Sequence, residues 1–110
     1  MKITLHTNSV NQLNLNIKNK ILEDLPTWER REGTDGYTLY YHSTKSGQWE
    51  EDLFVKPFKK AEENKLNFYI TKIDGQKIDF IPSFGYLMGR FIEMLIVHFS
   101  DQFDSLEITD

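Results

Sequence analysis

Residues 65–99 read KLNFYITKIDGQKIDFIPSFGYLMGRFIEMLIVHF, and a change of rhythm inside this stretch decides the fold. Leu66, Phe68 and Ile70 alternate with Asn67, Tyr69 and Thr71, the period of a strand with one face buried. From Phe84 the spacing lengthens. Phe84, Leu87, Met88, Phe91, Ile92, Leu95 and Phe99 recur every three or four positions and make one face of a helix. Met94, Ile96 and Val97 widen that face, so the helix is expected at the centre of the fold. Between the two periods, Asp74-Gly75 predicts a two-residue hairpin turn with Gln76–Phe80 returning as a strand. Ser83 is the expected N-cap of the helix. An apolar strand face and an apolar helix face in one chain bury each other, which gives an α+β architecture.

Upstream, Ile3 and Leu5 alternate with Lys2, Thr4 and His6, predicting a first strand. Asn8 or Ser9 can then cap a helix through Val10, Leu13, Ile17, Ile21 and Leu25, closed by Pro26. Leu13, Leu15 and Ile17 also alternate, so residues 9–25 carry a competing strand pattern. The longer helical series decides for helix. Segments 27–32 and 37–43 flank Gly33-Thr34-Asp35-Gly36 as a hairpin. Residues 43–48 read as a loop, and 49–58 as extended, with Pro57 placing that strand at an edge or end. Residues 61–64 turn the chain back. Downstream of the long helix, Leu106 and Ile108 alternate in a last short strand. The whole, residues 1–110, reads as a single α+β domain with an antiparallel or mixed sheet of five to six strands and two helices packed on it.

Composition narrows the chemistry. Without cysteine there is no disulfide, thiolate metal site or cysteine nucleophile, and a reducing compartment is the natural setting. The start lacks the apolar run of a signal peptide, and Arg90 and Glu93 interrupt the most apolar stretch. A cytoplasmic protein with no membrane partner is expected. Net charge is −4 and uneven: residues 1–73 balance to +1, residues 74–110 to −5. That imbalance argues against direct nucleic-acid binding and for a basic protein partner.

No arrangement of residues calls for a reactive centre. His6, His42 and His98 lack a second ligand at metal-binding spacing, so no metal or cofactor is expected. His98 and Glu93 stand five apart, on different faces of a helix. No Gly-x-Ser-x-Gly or phosphate-binding glycine loop occurs, and no catalytic residue is assigned. Gly85 and Gly89 predict close approach of the helix to the sheet, or to a second copy in a homodimer. Arg90 is expected to pair with Glu93 or Asp79. The candidate partner-binding residues are two carboxylate groups beside large rings: Trp49, Glu50, Glu51 and Asp52, and Asp101, Phe103, Asp104 and Glu107. Aromatic anchors rimmed by charge suit a protein-binding surface.

The run Phe84-Gly85-Tyr86-Leu87-Met88-Gly89-Arg90-Phe91-Ile92-Glu93, then His98-Phe99 and Leu106-Glu107-Ile108, resembles the C-terminal half of small immunity proteins. Those accompany bacterial polymorphic toxins, including contact-dependent growth inhibition systems. The resemblance covers about the last quarter of the chain and implies a stoichiometric inhibitor of a cognate toxin, often a basic nuclease. It assigns no residue a role. Two other classes compete: an acidic, dimeric chaperone for a secreted effector, and a small ligand-binding module or enzyme with a pocket lined by Tyr37, Tyr41, Tyr69 and Tyr86.

Overall fold

Alternating residues in six segments pair into one antiparallel sheet. The computed structural model describes residues 1–43 and 53–109. Its elements run β1 (Lys2–His6), α1 (Val10–Glu23), β2 (Trp28–Glu32), β3 (Thr38–His42), β4 (Phe54–Lys60), a 3₁₀ turn (Ala61–Glu63), β5 (Lys65–Thr71), α2 (Phe84–Phe99) and β6 (Ser105–Thr109). The strand order is β2-β3-β4-β5-β1-β6, with β2 and β6 at the edges. This is the α+β fold that the sequence predicts, with helix over residues 10–23 where the two patterns compete.

Register sorts the side chains. Val55 lies opposite Ile70, Pro57 opposite Phe68, Phe68 opposite Ile3, and Ile3 opposite Ile108. These residues line the face that both helices cover. Val10, Leu13, Ile17 and Ile21 of α1 share one core cluster with Phe84, Leu87, Met88, Phe91, Met94, Leu95 and Phe99 of α2. Phe91 is its hub, with ring centroids 4.8 Å from Phe68, 5.3 Å from Trp28 and 6.1 Å from Tyr40. Burial raises the Tyr40 phenol pKa far above its ordinary value.

The opposite face is covered by neither helix. Reading across β4, β5, β1 and β6, one row is Lys56, Tyr69, Lys2, Thr109. The next is Phe58, Asn67, Thr4, Glu107, and the third is Lys60, Lys65, His6, Ser105. In the middle row the Thr4 hydroxyl donates to Asn67 Oδ1 at 2.7 Å, which satisfies two buried polar groups at once.

Pro57 sits in the middle of β4, between β3 and β5, and not at an edge or end. Four further expectations about local structure need correcting. Gln76–Phe80 forms no strand, only a bridge between Thr71 and Lys77. The reason is occupancy: β1 pairs with β5 over Lys65–Tyr69, so beyond the Thr71–Lys77 bridge that edge has no room for a returning strand. The turn is a three-residue loop instead. Lys72 N–H donates to Gln76 O, Gly75 N–H donates to Lys72 O, and Gly75 alone takes positive φ, at 78°. Second, α2 lies on one face of the sheet rather than at the centre, leaving Ile96 51% and Val97 67% exposed. Third, Ser83 makes no side-chain cap. The last concerns Gly85 and Gly89. A Cβ at either would meet nothing within 4 Å, so neither serves close packing against the sheet.

Candidate functional site

The sequence-derived site divides. Trp49, Glu50, Glu51 and Asp52 lie outside the described residues. The other four lie together at the end of α2 and along β6. Asp101 and Asp104 are exposed in the connecting turn, where Asp104 N–H donates to His6 O at 2.7 Å. Glu107 is exposed on β6, and its Oε1 lies 3.2 Å from His6 Nε2. Phe103 departs from its expected role as an outward anchor. Its ring is partly buried and packs against the core cluster. The result is an acidic sheet edge without a large exposed ring.

The uncovered face carries a second constellation. Tyr69 on β5 and Phe58 on β4 lie with ring centroids 6.4 Å apart. Lys77 Nζ sits 3.9 Å from the centroid of the Tyr69 ring, a cation–π contact. Lys56 Nζ is held by Asp35 Oδ2 at 2.9 Å and reaches Gly75 O at 3.4 Å and the Tyr37 ring at 4.6 Å. A cavity of about 330 Å³ opens between these groups, lined by Lys56, Phe58, Lys60, Tyr69, Thr71, Gly75 and Lys77. Among the described residues its lining holds three ammonium groups and no carboxylate.

Two hairpin tips build one end of this cavity. Gly33 N–H donates to Tyr37 O, and Gly36, at φ 85°, closes the first tip as Gly75 closes the second. Thr34 N–H donates to Ile73 O and ties one tip to the other. Asp35 then faces Lys56. The Lys56 ammonium, followed by the Tyr37 N–H, holds the Asp35 carboxyl below its ordinary pKa. A side chain at Gly75 would run into the Asp35 carboxylate, so glycine is required twice over, for its φ and for the approach.

The remaining candidates separate in space. Tyr37, Tyr41 and Tyr69 share the uncovered side: Tyr41 stacks under Arg31 at 4.4 Å, while Tyr86 is exposed on α2. The four tyrosines therefore line no common pocket. His42 is buried against Trp28, their centroids 4.7 Å apart, and burial, then Arg90, lowers its pKa. Arg90 pairs with Glu93 at 3.4 Å, as expected. Among the described residues no cluster of His, Asp or Glu has the geometry to hold a metal ion, and no helix is long and apolar enough to cross a membrane.

The cationic cavity escaped the sequence reading because its lysines and rings come together from β4, β5 and the 73–77 turn. The available signal was the lysine-aromatic alternation of residues 56–60, with Tyr69 opposite Lys56 in the next strand. Compared with family models, with curated proteins and with solved structures, the chain matches none.

Proposed function

We propose that the protein works by binding, as an immunity protein that neutralises a cognate bacterial toxin in a stoichiometric complex. The observation that carries this reading is the edge formed by β6. It pairs on one side with β1, and its outer side pairs with no strand among the described residues. It is entered through Asp101 and Asp104 and carries Glu107. Such an edge offers main-chain hydrogen bonds to an added strand, and its charge attracts a basic partner. The resemblance of residues 84–108 to immunity proteins supplies the class of that partner. The reading assigns no catalytic residue.

The test is to capture the chain's partner from its source cell, co-express the chain with any toxin domain recovered, and measure growth and the mass of the complex. Restored growth with a one-to-one complex is expected. Replacing Asp101, Asp104 and Glu107 together by lysine should weaken binding by about tenfold or more at low ionic strength, and by less in high salt. A toxin left fully active beside the folded chain would sink the proposal.

The outer face of α2 favours a second reading. Tyr86, Ile96 and Val97 are exposed there beside Gly85 and Gly89, as a homodimeric chaperone for a secreted effector would require. Solution mass separates the two, because only the chaperone needs a constant dimer.

A further inference from the structure

We propose that the cleft between β4, β5 and the 73–77 turn binds a nucleotide, with its phosphate among the lysines and its base on Tyr69. At about 330 Å³ the cleft lies near the lower end of ligand cavities, which span roughly 300–1,000 Å³ and suit one small molecule. The lining sorts by chemistry. Lys56 and Lys60 of β4 and Lys77 of the 73–77 turn contribute positive charge. Lys56 is already neutralised by Asp35, at 2.9 Å and mostly shielded from water. Lys60 shares Glu63 at 3.5 Å, but both ends of that pair are well exposed, so the contact is weak and the ammonium can turn to a ligand. Lys77 rests on the Tyr69 ring. Among the described residues the lining holds no arginine, and its ammonium groups act as the point charges that commonly bind phosphate.

The aromatic half supplies what a simple anion does not need. Tyr69 presents a ring face, and Phe58, 48% exposed, stands beside it. A base stacking on Tyr69 displaces Lys77 from the ring, and the freed ammonium then meets the phosphate of the same ligand. Thr71 gives an independent sign of a polar occupant. It is wholly buried, it lines the cleft, and its hydroxyl oxygen has no hydrogen-bond partner among the described residues. Buried polar groups are nearly always satisfied, and a small turn of the Thr71 side chain toward the cleft would let the edge of a base satisfy this one.

The experiment is a titration of ¹⁵N-labelled protein, followed by amide shifts, with adenosine monophosphate, adenosine, inorganic phosphate and a short oligoadenylate in turn. The monophosphate is expected to saturate and to move the amides of residues 56–60, 69–71 and 75–77. Adenosine and phosphate should each bind about tenfold more weakly. Lys77→Ala, at an exposed position that leaves the fold intact, should weaken the monophosphate by about tenfold, and Tyr69→Leu by a similar factor. Tighter binding of the oligoadenylate assigns the nucleotide to a single strand, and equal or weaker binding assigns it to the free pool. The proposal is overturned if the monophosphate does not saturate in the millimolar range, if the shifts fall elsewhere, or if phosphate alone binds as tightly. Unchanged affinity in Lys77→Ala, or an acidic peptide that outcompetes the nucleotide for the cleft, overturns it as well.

Discussion

The two faces of the same six-stranded sheet obey different rules. On the covered face, Ile3, Leu66, Phe68 and Val55 meet two helices, and the side chains are apolar and closely packed. On the uncovered face the same strands present Lys2, Lys56, Lys60, Lys65 and Tyr69, with a single polar pair, Thr4 and Asn67, sealed between them. One residue of offset along any strand moves a position from one regime to the other. The difference teaches where stability and recognition reside. The covered face holds both helices; the other face buries Leu39, Phe54 and Thr71 at one corner, and its exposed part is free to be chosen for what it binds.

Substitutions on opposite sides of one strand pair test that division most sharply. Phe91→Ala removes the hub that touches Trp28, Tyr40 and Phe68, and should cost about 3–5 kcal/mol in urea unfolding. A loss under about 1 kcal/mol would mean that the two helices are not held by that ring. His42 gives a smaller, pH-dependent effect on the covered face. Its folded-state pKa lies below the ordinary value near 6.5, so as pH falls through that value the unfolded chain takes up the proton first. Stability should therefore fall below about pH 6.5 and level off once pH passes the lowered folded-state pKa. Urea midpoints at several pH values, compared with His42→Gln, measure it; an identical slope in the variant would remove His42 as the cause. The smallest change belongs to the uncovered face. Phe58→Ser, at a half-exposed ring, should alter stability by no more than about 0.5 kcal/mol. A larger loss would show that the uncovered face also bears structural weight.

Much of the fold was legible because it rests on local rhythm. The periods of Leu66–Ile70 and Phe84–Phe99 survive in β5 and α2, and Pro26 does follow the end of α1. The returning strand after Asp74-Gly75 was not legible, since a turn signal says nothing about whether the neighbouring edge is already taken by β1. The breadth of the apolar face of α2 misled for a related reason: Ile96 and Val97 extend it past what one sheet can cover. The candidate site was harder still. Charge summed along the sequence points to an acidic tail, and Asp101, Asp104 and Glu107 do gather at the β6 edge. Charge summed over a surface depends on register, which brings Lys56 beside Tyr69 and carries Lys77 onto that ring.

The order β5-β1-β6 carries a consequence for how the molecule comes into being. β1 is made first, yet its two neighbours begin at Lys65 and Ser105. At a translation rate of about 5–20 residues per second, roughly 5–20 s pass before both flanks exist. Until then Ile3 and Leu5 lack their flanking strands, and the sheet can be completed only after Thr109 has left the ribosome. Slowing synthesis should help this protein little; shielding its first strand during that interval should help more.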